Sequence, residues 1–222
     1  LELRLLYGMY PDVINNLGDE IEVLNQLVNS YLYKDILAFS GIRKPDILEK
    51  LLKALALQLG NEVSYNELSR LIGVNKGTIE SYIDLLCKSY VIYRLPSFSR
   101  NLRNEIKTNQ KIYFYDTGVR NAIIGNFTPL NSRADTGAIW ENFLIIERLK
   151  KLSYGKLRIS QYFWRTKQQQ EIDYVEEESG KIFGYEFKWN PKAKIKIHKS
   201  FIETYNSQIK VINTDNFREL IG

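Results

Sequence analysis

Apolar residues recur along the first half of the chain at helical spacing. Ile21, Leu24, Leu27, Val28, Tyr31 and Leu32 form one stripe at i, i+3, i+4 intervals, and the stretch from Leu1 to Ser40 reads as helical. Pro11 marks a helix start, where a missing N–H does no harm. Gly41-Ile42-Arg43-Lys44-Pro45 breaks the pattern. A further helix runs from Pro45 to about Leu59, with Ile47, Leu48, Leu51, Leu52, Leu55 and Leu59 apolar and Gly60 as its stop. Ser64-Tyr65-Asn66-Glu67 is a capping box ahead of Leu68, Leu71 and Ile72. Gly73 and Val74 turn the chain. Asn75 caps a helix over 76–88 that buries Ile79, Ile83, Leu85 and Leu86.

The period then shortens. Val91-Ile92-Tyr93 and Lys111-Ile112-Tyr113-Phe114-Tyr115 read as strands on either side of the segment 97–104. Three helices, the last two joined by a glycine turn, followed by a β-hairpin make a winged helix. In DNA-binding versions the second helix of the motif enters the major groove by its N-terminal residues. Here those are Asn75, Lys76, Thr78 and Ser81, with Tyr82 beside them. The wing adds Arg100, Arg103 and Lys107 for phosphates. Glu80 and Asp84 dilute the positive charge, and winged helices also dock proteins, so a duplex-DNA role and a protein-docking role both stand.

From Asp116 to Arg133 the chain reads as loop, with Gly118, Gly125, Pro129 and several asparagines. That places a boundary near Asn126. Beyond it come a helix over 136–152, a strand within 157–166, and a β-hairpin. A lysine-rich run over 191–199, a short helix over 200–205, a strand over 209–212 and a closing helical turn over 215–220 complete the chain. The organisation expected is a helical segment over 1–44, a winged-helix domain over 45–125 and a second domain over 126–222.

The hairpin carries the chemistry. Glu171-Ile172-Asp173-Tyr174-Val175 and the run from Lys181 to Trp189 flank Glu176-Glu177-Glu178-Ser179-Gly180. Side chains alternate faces along a strand, so Glu171, Asp173 and Val175 are expected on one face and Ile172 and Tyr174 on the other. Gly184, Glu186 and Lys188 then share a face opposite Phe183, Tyr185, Phe187 and Trp189. A loop with an even number of residues brings Asp173 and Glu186 together. Two close carboxylates repel unless a positive charge lies between them. A hard divalent cation such as Mg²⁺ suits them, and such an ion can activate water for attack at phosphorus. The alternative is a solvated strand face on which Glu186 and Lys188 only screen each other.

Ile172-Asp173, then Glu186-Phe187-Lys188 on the next strand, resembles the PD-(D/E)xK nuclease superfamily, with Ile172 in place of the proline. Members commonly carry a glutamate on the preceding helix, and Glu141 stands there. Asp135-x-Gly137, Trp140-Glu141-Asn142-Phe143, Phe163-Trp164-Arg165-Thr166, Glu171-Ile172-Asp173 and Glu186-Phe187-Lys188 follow in order. This series is similar to the C-terminal region, of unknown function, in a prokaryotic family of AAA-type P-loop ATPases. The resemblance begins around Tyr7-Gly8-Met9-Tyr10-Pro11 and covers nearly the whole chain. It implies an α+β fold: a helical arm and winged helix, then a restriction-endonuclease-like mixed sheet flanked by helices. It further implies Mg²⁺ held by Glu141, Asp173 and Glu186, with Asp173, Glu186 and Lys188 as the catalytic set and Lys188 positioning the attacking water. ATP would be bound only by a domain outside this sequence. The cluster Gly73-Val74-Asn75-Lys76-Gly77-Thr78 lacks the P-loop order.

Composition narrows the rest. The 222 residues carry a net charge of +5 and a pI near 9.1, which suits a nucleic-acid partner without demanding one. Cys87 is the lone cysteine and His198 the lone histidine, which excludes an intrachain disulfide, a cysteine-based zinc site and a multi-histidine metal centre. No signal peptide or membrane-length apolar run is present, so a soluble cytoplasmic protein without membrane partners is expected. The chain opens on Leu1 in mid-pattern and reads as a piece of a longer protein. Three roles are open: a Mg²⁺-dependent nuclease, a non-cutting fold that binds DNA or protein, and an arm coupling an ATPase to a homo-oligomer or protein partner.

Overall fold

A computed structural model of the chain describes residues 1–30, 45–99, 110–195 and 198–222. It is a mixed α+β structure with two sheets and two compact units. One unit comprises Leu1–Arg94 with Ile112–Ala134, the other Leu95–Lys111 with Asp135–Gly222.

The first unit holds α1 (Glu2–Tyr7), α2 (Pro11–Asn15), α3 (Glu20–Leu27), α4 (Pro45–Leu57), β1 (Glu62–Val63), α5 (Tyr65–Ile72) and α6 (Lys76–Lys88). It also takes most of β2 (Ile92–Pro96) and β3 (Gln110–Phe114), and the whole of α7 (Thr117–Ile124). The strands pair in the order β1-β3-β2. Gly8 at φ 77° and Gly18 at φ 98° divide the predicted helical start into separate short helices. Pro11 opens α2. Tyr31, Leu32 and the break at 41–44 lie outside the described residues.

The capping expected from sequence is present. The Ser64 hydroxyl accepts from the Glu67 N–H, Gly73 leaves α5 in the left-handed conformation, and Asn75 Oδ1 accepts from the Thr78 N–H at 2.8 Å. Ile79, Ile83 and Leu86 are buried on α6, whereas Leu85 is only half-buried.

The predicted loop over 116–133 is corrected by the structure, because Thr117–Ile124 is helical and largely buried. Its polar residues face inward for a reason. Asp116 caps the helix through the Val119 N–H at 3.0 Å and also accepts the Met9 N–H at 2.7 Å. Arg120 donates to the Ala56 carbonyl at 2.9 Å, and Asn121 donates to the Leu6 carbonyl at 2.8 Å. These bonds satisfy carbonyls at the ends of α4 and α1. At Gly118 a Cβ would lie 2.2 Å from the Tyr7 carbonyl oxygen, so the glycine permits a backbone approach.

The second unit is built on a mixed sheet of β4 (Ser160–Arg165), β5 (Glu171–Glu178), β6 (Lys181–Phe187) and β7 (Gln208–Ile212), in that spatial order. The first three strands are antiparallel and β7 runs parallel to β6. Helix α8 (Thr136–Tyr154) and helix α9 (Lys199–Tyr205) cover opposite faces, and α10 (Arg218–Ile221) closes the chain. On the α8 side, Arg148 grips buried Glu176 through two bonds of 2.7 and 2.8 Å, while the Tyr174 and Tyr185 hydroxyls donate to the same carboxylate. On the α9 side, Phe201 packs with Phe98, Trp164, Ile172, Val175 and Ile182. Gly184 makes room there, since a Cβ would approach the Phe201 ring to 2.9 Å.

The hairpin turn is Ser179-Gly180, both at positive φ (51° and 79°), which is the backbone of a tight two-residue turn. The loop is therefore even. Strict alternation along β5 is nevertheless interrupted. Tyr162 pairs with Val175 and Trp164 with Ile172, so two steps on β4 oppose three on β5. The extra residue is a β-bulge at Asp173-Tyr174. It puts Ile172 on the same core-facing side as Val175, which corrects the expectation that these two point to opposite faces.

Candidate functional site

The β5–β6 register decides where Asp173 goes. Tyr174 pairs with Tyr185, and one more step along this register sets Asp173 beside Glu186. The ladder loosens there. Asp173 Oδ2 accepts the Phe187 N–H at 2.7 Å, so the side chain takes a main-chain donor. Lys188 leaves the end of β6 and turns back, its Nζ 3.0 Å from Glu186 and 3.8 Å from Asp173. The predicted catalytic set Asp173, Glu186 and Lys188 is thus brought together at one end of the sheet. The aromatic neighbours turn away: Phe187 stacks on Tyr174 at 6.0 Å between centroids, and Trp189 meets Trp140 edge-on at 5.5 Å. Trp164 lies in the core beside Phe201.

Glu141 lies in the first half of α8 and is turned toward the strands, not outward. Its Oε1 lies 3.0 Å from the Nζ of Lys111 on β3, and that ammonium also lies 2.5 Å from Glu171 on β5. Lys111 is 1% exposed and sits 5.4 Å from the Phe163 ring centroid. Arg165 reaches the other oxygen of Glu171 at 3.5 Å. Neither Lys111 nor Glu171 is given a role by the sequence motifs. A lysine at the head of Lys111-Ile112-Tyr113-Phe114 looks like a strand-edge charge. The signal that could have marked it is its position inside an otherwise buried aromatic strand, where a charge needs partners.

The electrostatics follow from this layout. Burial pushes the Asp173 carboxyl up to about 6, and the like charge of Glu186 adds to the rise; Lys188 and the Phe187 N–H only partly oppose it. Burial likewise raises Glu186 against the pull of Lys188. Burial alone would lower the two lysines. The carboxylates outweigh it, so Lys188 is raised by Asp173 and Glu186, and Lys111 by Glu141 and Glu171. Four carboxylates thus gather around two ammonium groups and one guanidinium.

Hard carboxylate oxygens suit Mg²⁺ chemically. Among the described residues, however, no group of three or more histidine, cysteine, aspartate or glutamate side chains stands where it could hold a metal ion. The acids predicted as ligands, Glu141, Asp173 and Glu186, are instead drawn to Lys111 and Lys188. Asp173 with Glu186 is the pair whose mutual repulsion a cation would relieve.

At the other predicted site, Asn75, Lys76 and Ser81 are exposed and Thr78 half-buried around the start of α6. Asn75 and Thr78 are engaged in capping, Ser81 donates to the Gly77 carbonyl, and Lys76 pairs with Glu80 at 3.2 Å. Arg100, Arg103 and Lys107 lie outside the described residues, as do Lys196 and Ile197 of the lysine-rich run. No helix among the described residues is long and apolar enough to cross a membrane.

Fold and site together define an α+β protein whose second unit carries a buried carboxylate–lysine cluster at the end of a mixed sheet. The chain belongs to the family described as domain of unknown function (DUF8612), whose profile matches residues 1–130. Residues 136–219 match a second family, domain of unknown function (DUF4143). Uncharacterized proteins of Mycobacterium tuberculosis and Mycobacterium bovis are each 30% identical over 164 residues, covering 72% of this chain and 36% of theirs. An uncharacterized protein of Haemophilus influenzae is 26% identical over 181 residues, covering 77% of this chain and 44% of its own length. The chain therefore spans less than half the length of these curated relatives. No solved structure matches it.

Proposed function

We propose that this chain is the C-terminal, nucleic-acid-handling region of a longer AAA-type ATPase, and that its second unit is a PD-(D/E)xK-like fold for Mg²⁺-dependent phosphodiester hydrolysis. The observation that carries this reading is the convergence of Asp173, Glu186 and Lys188 on adjacent strands at a bulge. Asp173 and Glu186 would hold the ion, which would supply a Lewis acid to activate water there. Lys188 would orient the attacking water and offset charge developing on the phosphate. Glu141 contributes negative charge from α8 while pinned by Lys111.

The first unit is read as a winged helix that holds duplex DNA. Its element order α4-β1-α5-α6-β2-β3 and its strand order β1-β3-β2 support that topology. The exposed start of α6 is its contact surface.

A second reading has one specific observation in its favour. Lys111 neutralises Glu141 and Glu171 internally, which suits a nuclease-like fold that binds DNA or a protein partner, or couples the ATPase to its partners, without cutting. The two readings part in one assay. Supercoiled and linear duplex DNA are incubated with the chain in Mg²⁺ or Mn²⁺, beside Asp173→Ala and Lys188→Ala. Strand cleavage lost in both variants is expected. Duplex binding without cleavage at any metal concentration would leave only the second reading.

A further inference from the structure

In the second unit β4 ends, β5 begins and β6 ends at one end of the sheet, because β4 and β6 both run antiparallel to β5. The turn from β4 to β5 and the segment leaving β6 therefore emerge at the end that holds Asp173 and Glu186. Both are basic throughout. Residues 160–170 and 187–202 contain no aspartate or glutamate, yet they carry Arg165, Lys167, Lys188, Lys192, Lys194 and Lys199. Backbone and side-chain bonds fix them there. The Thr166 N–H donates to the Gln170 carbonyl at 2.9 Å and closes the β4–β5 turn. The Lys188 N–H donates to the Ile212 carbonyl at 2.9 Å, and Asn190 next accepts from the Lys192 and Ala193 N–H groups. At the start of α9 the Ser200 hydroxyl donates to Gln170 at 2.6 Å, which ties that helix to the same turn. Lys167, Lys192, Lys194 and Lys199 are exposed, and among the described residues none of the four meets a carboxylate. Lys150 and Lys210, elsewhere in the unit, are held by Glu147 and Glu219.

We propose that this basic end of the sheet is a phosphate-binding surface of the second unit's own, on which Lys167, Lys192, Lys194 and Lys199 hold the backbone of duplex DNA beside Asp173 and Glu186 without reading its sequence. The proposal rests on the nucleic-acid reading and deepens it, giving the second unit a contact separate from the exposed start of α6. Like charges gathered without acids between them make a positive field that a polyanion relieves. The ammonium groups are spread over two segments instead of converging on one pocket, which suits charge repeated along a backbone. Lysine acts as a point charge with no fixed fork, so it meets phosphates without demanding one geometry. The exposed Gln168 adds an amide donor of the kind that binds phosphate oxygens.

The test is the salt dependence of duplex binding, measured on the whole chain by fluorescence anisotropy in chelator. The parent is compared with K167Q/K192Q/K194Q/K199Q and with K150Q/K156Q/K181Q/K210Q, which removes the same charge elsewhere in the unit. The four substituted side chains make no ion pair, so the first variant should melt with the parent. Each lysine that meets a phosphate contributes about 0.9 to the slope of log affinity against log salt. The expected result is a slope lowered by up to about 3.6 in the first variant and by distinctly less in the second.

An equal fall in the two variants overturns the proposal, because net charge alone then explains it. So does an unchanged slope in the first variant, or a parent that binds no duplex at low salt. A parent that binds poly-glutamate as tightly as duplex at matched salt overturns DNA as the partner. Strand cleavage, followed separately in Mg²⁺, keeps this surface distinct from the hydrolytic reading. Lysine-dependent binding without cleavage upholds the surface and removes the hydrolysis. Cleavage with the parent's slope retained in the first variant does the reverse.

Discussion

Asp173→Asn should make the protein more stable at alkaline pH while removing the proposed activity. Asp173 is ionised with difficulty where it stands. Its carboxyl is moved from an ordinary value of 3.8 to about 6 by burial and by Glu186. The sign follows from linkage. The folded state holds its proton to higher pH than the unfolded state, so this group's contribution favours folding below about pH 4. That contribution is lost as pH rises through 6. A tenfold change in a proton's binding constant corresponds to about 1.4 kcal/mol, so ionised Asp173 opposes folding by up to about 3 kcal/mol at pH 8. Asparagine keeps the acceptor oxygen for the Phe187 N–H, now 2.7 Å from Oδ2, and turns an amide donor toward Glu186.

The assay is urea unfolding of parent and variant in chelator, at several pH values from about 4.5 to about 8.5, with each stability extrapolated linearly to zero urea. The difference between the two proteins cancels titrating groups that Asp173 does not touch, while Glu186 and Lys188, which interact with it, remain in the difference. We expect D173N to gain about 1–3 kcal/mol at pH 8, with the gain shrinking toward zero near pH 4. Saturating Mg²⁺ should stabilise the parent and narrow the gap, because a cation relieves the same repulsion. A variant less stable than the parent at pH 8, or a difference that does not change with pH, would refute the strain assigned to Asp173.

Other elements give sharper local tests. Arg148→Ala leaves Glu176, 3% exposed, without its guanidinium; calorimetry should show a loss of roughly 3–5 kcal/mol, nearer the lower end because two tyrosine hydroxyls remain. The added change Glu176→Gln should return part of that loss. Gly118→Ala forces a Cβ toward the Tyr7 carbonyl, so hydrogen exchange should show α1 amides losing protection while those of α6 keep theirs. Lys76→Ala combined with Arg100→Ala and Arg103→Ala should weaken duplex binding and lower the slope of log affinity against log salt by about 0.9 per lost phosphate contact. An unchanged slope in fluorescence anisotropy would remove those residues from the interface.

Elements governed by one dominant local force were legible in the sequence. Helix α6 begins and ends where Asn75 and the apolar spacing put it. The hairpin was legible only in outline: the break read over Glu176–Gly180 is confined to Ser179-Gly180, because Glu176, Glu177 and Glu178 pair with Phe183, Ile182 and Lys181. Helix α7 was not legible, because its inner face is not apolar. Asp116, Arg120 and Asn121 are buried there, and the last two bind carbonyls from α4 and α1, partners 64 to 116 residues away in sequence. Gly118, which reads as a helix breaker, is required by the passage of Tyr7. Propensity and periodicity carry no record of such long-range hydrogen bonding.

The site divides along the same line. Asp173, Glu186 and Lys188 could be read off as neighbours because alternation along two adjacent strands, joined by an even loop, brings them to one face. The bulge could not, since alternation assumes one residue per step on both strands. With Ile172 and Val175 both taken into the Phe201 core, the chain between them must accommodate an extra residue. At the bulge Asp173 turns its carboxylate to the Phe187 N–H, beside Glu186, where the β5–β6 register puts it. The β5–β6 register thus sets two like charges side by side at the end of the sheet. Lys188 and Lys111 are the means by which the fold tolerates them: one half-exposed at the end of the sheet, and one buried inside.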